Sequence, residues 1–138
     1  MHNIIDNFQQ VYSELSASNI ETVDAIYDEN VIFIDPFHEI RGLNSLREYF
    51  SALYKNVFSC EFTFGEVYAK HNSAMIVWHM ALKHRTLSKN KPVEVSGSTQ
   101  IRFNDKIYFH RDYFDAGRMV YENLTLVGSV IKFIKQKV

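Results

Sequence analysis

Lys106-Ile107-Tyr108-Phe109-His110-Arg111-Asp112-Tyr113-Phe114-Asp115 is the stretch whose reading decides the fold. Strand side chains alternate between faces, so His110, Asp112 and Phe114 point one way while Phe109, Arg111 and Tyr113 point the other. Each face of a largely aromatic strand therefore carries ionisable groups. Burying an unpaired charge costs on the order of several kcal/mol, so these groups are either paired internally or line a cavity that needs them.

Working back from this strand, Asn104-Asp105 reads as a tight hairpin turn. Before it, Val93, Val95, Gly97, Thr99, Ile101 and Phe103 alternate with Glu94, Ser96, Ser98, Gln100 and Arg102, a strand with one polar face. Ala74, Ile76, Trp78, Met80 and Leu82 share one face of a further strand. Ahead of Cys60 the period is mostly helical. Ile4, Ile5, Phe8, Val11, Tyr12 and Leu15 predict a first amphipathic helix. Ser18 and Glu21 have the spacing of a capping box for a second, with Val23, Ile26 and Tyr27 inward. Val31-Ile32-Phe33-Ile34-Asp35 is a short strand stopped by Pro36. Beyond Gly42, Leu46, Tyr49, Phe50, Leu53, Tyr54 and Val57 form the stripe of a third helix. Helices followed by an antiparallel meander predict an α+β fold, with the helices on one side of a strongly curved sheet.

The chain has 138 residues, 46% of them hydrophobic, and only two prolines and five glycines, with no linker or repeat. A single domain over 1–138 is expected, with one continuous core. Asp115 stands where it could cap a short helix. A C-terminal amphipathic helix is expected at about 124–138, its Lys132, Lys135 and Lys137 suiting the helix dipole; packing on the protein, and not membrane binding, is the expected use. A net charge of −1 argues against nucleic-acid partners. Cys60 is the lone cysteine, which excludes an internal disulfide and suggests a buried thiol in a reducing, cytoplasmic setting. No stretch approaches the ~20 apolar residues of a membrane span. Histidine and cysteine spacings match no metal motif, and neither a glycine-rich phosphate loop nor a nucleophile elbow is present, so no metal and no cofactor are expected.

The order of Asp35-Pro36, the helix start Arg41-Gly42-Leu43-Asn44-Ser45-Leu46-Arg47-Glu48-Tyr49-Phe50 and the hairpin Ile101-Arg102-Phe103-Asn104 resembles the SnoaL-like polyketide cyclase and ketosteroid isomerase group. That group belongs to the nuclear transport factor two-like superfamily, and the resemblance covers roughly residues 4 to 115. It implies a cone, a curved antiparallel sheet wrapped around helices as a cystatin-like α+β barrel, with an apolar pocket at its open end. It also implies a small apolar molecule as ligand, with isomerase, cyclase or epoxide-hydrolase-like acid–base chemistry. The alternative is a non-catalytic binding or assembly module of the same fold.

By the resemblance, Asp35 matches the isomerases' general base, and Thr99 stands where they carry a second, protonated aspartic acid. Their oxyanion-hole tyrosine falls at Val11 in an ungapped match and at Tyr12 after a one-residue shift. His110, Asp112 and Phe114 turn toward the cavity with Trp78, Met80 and Thr99, and Asp112 matches a late cavity carboxylate of cyclases and epoxide hydrolases. Asp35, Asp112 and His110 are thus the candidate catalytic residues. Tyr12, Trp78, Met80, Thr99 and Phe114 are candidate ligand contacts, and His38 lies in a loop near the expected mouth. Asp35 could equally close the turn that follows it, and His110 could be a satisfied core histidine. Arg111 is expected to pair with a carboxylate on the outer face. There Met75, Val77, His79, Gln100 and Tyr113 form a mixed surface suited to a homodimer.

Overall fold

The computed structural model of the protein describes residues 2–86 and 91–117, together with residues 134 and 136. Helix α1 (His2–Glu14) carries Ile4, Ile5, Phe8 and Tyr12 on one buried face, continued by buried Leu15. Its end is closed by Asn19, whose Nδ2 donates to the Glu14 carbonyl at 2.8 Å while its Oδ1 accepts the Ser16 N–H at 2.7 Å. Asn19, not Ser18, therefore organises this corner, and the Ser18 hydroxyl bonds to that of Ser16. The expected capping box is absent, and Ile20–Ala25 form a 3-10 helix with no side-chain cap.

Strand β1 (Tyr27–Ile34) begins four residues before the apolar run that marks it in the sequence. Tyr27 is a strand residue and not part of a helical face, because the last strand captures it. The Ile107 N–H donates to the Ile26 carbonyl at 2.8 Å, and Tyr27 pairs with Ile107. A tertiary contact here overrides the helical spacing. After a turn at Pro36 come β2 (Glu39–Arg41) and Gly42, whose φ of 90° is open to glycine and strained for other residues. Helix α2 (Leu43–Tyr54) buries Leu46, Phe50 and Tyr54, and Arg47 ties it to Asp24 at 2.7 Å. Val57 opens β3 and does not extend the helical stripe.

Strands β3 (Val57–Lys70), β4 (Ser73–His84), β5 (Val93–Phe103) and β6 (Ile107–Phe114) form the meander. The sheet order is β2-β1-β6-β5-β4-β3. Every neighbouring pair is antiparallel except β1–β6, which is parallel. The α+β cone is as expected, with two refinements: the sheet is mixed, and it stays open, with β2 and β3 as its edges. Register shifts within β3, at Val57/Ser59 and Phe64/Val67, add local twist and bend. The α1 rings meet β3, with Tyr12 5.8 Å from Phe62 and Phe8 6.3 Å from Phe64. The alternation on β5 holds, with Val93, Val95, Thr99, Ile101 and Phe103 buried. The expected helix at 124–138 falls almost wholly outside the described residues, as does most of the helix Asp115 was expected to cap.

Candidate functional site

The face of β6 that bears His110, Asp112 and Phe114 looks into a cavity of about 160 Å³ between the sheet and the two helices. Asp35, Tyr12, Trp78, Met80 and Thr99 line it as well. His38 does not; its exposed side chain sits outside, 3.7 Å from Asp35. Phe37 and Leu53, 41% and 43% exposed, line the cavity and mark its rim. Pockets for drug-sized ligands span roughly 300–1,000 Å³, whereas a dry cavity of about 150 Å³ holds a molecule the size of benzene. The space here suits a small occupant.

Strand register assembles the polar centre. Thr99 on β5 faces Asp112 on β6, and Ile101 faces His110. The Trp78 Nε1–H donates to Thr99 Oγ1 at 2.9 Å, and Thr99 Oγ1 donates to Asp112 Oδ1 at 2.6 Å. His110 Nε2 stands 2.8 Å from the same Oδ1, and its Nδ1 stands 2.8 Å from the Tyr27 hydroxyl. Tyr27 in turn bonds to the Tyr12 hydroxyl at 2.5 Å. The direction of this hydrogen-bonded chain is set by its ends. An indole N–H only donates and a carboxylate only accepts, so Thr99 passes its own hydrogen to Asp112 and His110 donates through Nε2. In its neutral form His110 then accepts from Tyr27, which accepts from Tyr12. Phe33 stacks on the imidazole with centroids 4.3 Å apart.

His110 is the satisfied core histidine, its side chain 1% exposed, whereas Asp112 is 18% exposed. Asp112 Oδ2 has no hydrogen-bond partner among the described residues. That oxygen is the polar atom the hydrogen-bonded chain leaves without a partner. Burial, then the neighbouring Tyr27 and Asp112 charges, pushes the Tyr12 hydroxyl well above its ordinary pKa. Burial first and Asp112 among the lesser causes also raise Tyr27, Tyr49 and Tyr54.

Asp35 lines the same cavity but is engaged differently. Its Oδ1 accepts the backbone N–H groups of Phe37 and His38, each at 2.8 Å, and its Oδ2 accepts the Tyr49 hydroxyl. It closes the turn and faces the pocket at once. In the sequence, Tyr27 and Tyr49 register only as members of apolar faces. A tyrosine in a buried stripe needs a partner for its hydroxyl, and that rule could have drawn attention to both.

Two further features shape the walls. A Cβ at Gly97 would lie 2.6 Å from the Tyr113 carbonyl and 2.7 Å from the Trp78 ring, so only glycine lets the indole cross β5 there. On the outer face, Arg111 lies over the Tyr113 ring at 5.0 Å. Among the described residues of this one chain no carboxylate pairs with it. No cluster of metal ligands occurs among the described residues, and no helix among them is long and apolar enough to cross a membrane.

An open cone of mixed sheet and helices with this strand order is the nuclear transport factor two-like fold. A sequence profile of the SnoaL-like domain matches residues 8–110, and the chain belongs to that family. No curated protein matches it. Among solved structures, an LEH-like epoxide hydrolase from M. tuberculosis superposes with a TM-score of 0.71 at 21% identity, covering 96% of each chain. A candidate polyketide cyclase from Acidithiobacillus ferrooxidans gives 0.71 at 20% identity, over 91% of this chain and 94% of that one. A ketosteroid isomerase-like fold from Catenulispora acidiphila, in complex with trimethylamine, gives 0.74 at 12% identity, over 85% and 88%. At these identities the likeness is one of fold.

Proposed function

We propose that this protein binds a small, largely apolar molecule in the cone and that Asp112 acts on it as a general base. The observation that carries this reading is the directed chain Trp78–Thr99–Asp112–His110–Tyr27–Tyr12, which spends Asp112 Oδ1 on two donors and leaves Oδ2, on a residue that lines the cavity, without a partner among the described residues. Such a carboxylate takes a proton from a bound molecule at Oδ2 and returns it elsewhere, as isomerization and cyclization require. His110 and Thr99 hold its orientation. In this reading Asp35 positions the Phe37–His38 turn and is not the second half of an acid–base pair, because both its oxygens already accept hydrogen bonds.

Incubation with small ketones, enones and epoxides in deuterated water tests this. Compounds that bind should show deuterium uptake or product by NMR, and Asp112→Asn should slow the reaction by about a hundredfold or more. Binding without exchange or turnover across the panel would leave the second reading, a ligand-binding module. That reading is favoured by one observation: the Tyr12 and Thr99 hydroxyls both donate within the chain, which leaves neither to stabilise an oxyanion. The proposal includes a homodimer across the outer sheet face and a reducing, cytoplasmic setting, supported by the exposed Val77 and Tyr113 and by the single thiol.

A further inference from the structure

We infer that the small molecule taken by this cavity is a cation: an amine or quaternary ammonium compound whose charged nitrogen sits between Asp112 Oδ2 and the aromatic wall around Trp78. The inference rests on the binding reading above and narrows it to a ligand class. Among the described residues that line the cavity there are two carboxylates, Asp35 and Asp112, and neither lysine nor arginine. Of the two lining histidines, His110 has both nitrogens committed within the hydrogen-bond chain and offers neither to a ligand, and burial pushes His84 below its ordinary pKa, toward the neutral ring.

The wall beside Asp112 is aromatic. Phe62 meets Trp78 edge-on with centroids 5.7 Å apart, and Phe114 lies 6.0 Å from Trp78 and 6.2 Å from Phe37. The indole is one hydroxyl removed from the carboxylate, through Thr99. Aromatic faces carry negative potential and attract cations held within about 6 Å, most strongly where water is excluded. An unpartnered carboxylate oxygen on a residue lining such a space gains most from a ligand that brings positive charge and apolar surface together. A neutral hydrocarbon would fill the volume and leave that oxygen unpaired. An anion would meet like charge. The Asp112 charge is felt across the cavity, since it is among the lesser causes that raise Tyr12 on α1 and Tyr49 and Tyr54 on α2, all of which line it.

The probe pair is choline and the neutral alcohol in which carbon replaces its nitrogen. The two share shape and differ in charge. Titration followed by calorimetry and by fluorescence of Trp78, the only tryptophan, should give choline at least about tenfold the affinity of the alcohol. Asp112→Asn should collapse that difference. Equal or tighter binding of the alcohol to the wild type overturns the inference and leaves the apolar-ligand reading standing. Undiminished preference for choline in Asp112→Asn also overturns it, since the charge would then act elsewhere. If neither compound binds while neutral ketones do, the cation inference alone fails; if nothing small binds, both fail. The wild-type comparison is decisive even where the variant does not fold.

Discussion

His110 and Asp112 lie two residues apart on one face of β6, with Nε2 2.8 Å from Oδ1, and the histidine is the fully buried member of the pair. The imidazole joins the carboxylate to Tyr27 on β1 and has both nitrogens committed in doing so. His110→Leu should leave the Tyr27 O–H without its acceptor and remove one of Asp112's two donors. An unsatisfied buried polar group costs about 1–3 kcal/mol, so urea denaturation should show a loss of roughly 2–4 kcal/mol. A change near zero would mean that the chain does not exist as drawn.

Asp35 and Asp112 should separate by experiment. Asp35→Ala removes the acceptor for two backbone N–H groups and Tyr49, and should destabilise the fold by about 1–3 kcal/mol. Asp35→Asn retains a carbonyl oxygen for the turn and should keep most of the stability and the ligand affinity. Asp112→Asn should show the converse, with modest change in stability and a large change in binding or turnover. Identical behaviour of the two asparagine variants would remove the division of roles.

Gly97→Ala should cost about 1–3 kcal/mol, the usual penalty for overpacking, because the nearest obstacle is the backbone carbonyl of Tyr113 and cannot rotate away. The displaced Trp78 should also shift its emission. A variant with wild-type stability and spectrum would show that the indole does not cross β5 at this point.

Alkaline pH should unfold the protein from within. Burial pushes the Cys60 thiol from its ordinary 9.0 up to about 12, with the Tyr54 hydroxyl a smaller, opposing influence. Between those values the unfolded chain holds fewer protons than the native one, so stability present below about pH 9 falls as pH rises, by up to about 1.4 kcal/mol per pH unit for such a group. The raised Tyr12, Tyr27, Tyr49 and Tyr54 act in the same direction above pH 10. Absorbance at the phenolate band should show half of the eight tyrosines ionising only on unfolding. At pH 8, iodoacetamide should modify Cys60 slowly in the native protein and quickly in urea. A single smooth tyrosine titration and equal thiol rates would contradict this.

The dimer proposal is read by sedimentation. A homodimer across the outer sheet face should be split by Val77→Glu, because Val77 is 38% exposed at the middle of β4 on that face. A wild-type monomer at all practical concentrations would remove it.

Period-two alternation on β4, β5 and β6 was enough by itself to determine which side chains face the interior. A strand has only two faces, so His110, Asp112, Thr99 and Trp78 had to share one if the hairpins formed. The α+β class and the cavity-facing parity of the last strand were legible for that reason. Tertiary structure decided what local spacing cannot express. Tyr27 fits a helical face by its neighbours, yet β6 draws it into a parallel pair, and its hydroxyl meets a histidine 83 residues away. Asn19 displaced the capping box because its two-ended amide closes α1 as well. The different fates of Asp35 and Asp112 were also beyond the sequence. Both are carboxylates beside aromatics, and only the register of β5 against β6 and the approach of Tyr49 from α2 determine which oxygen is left without a partner.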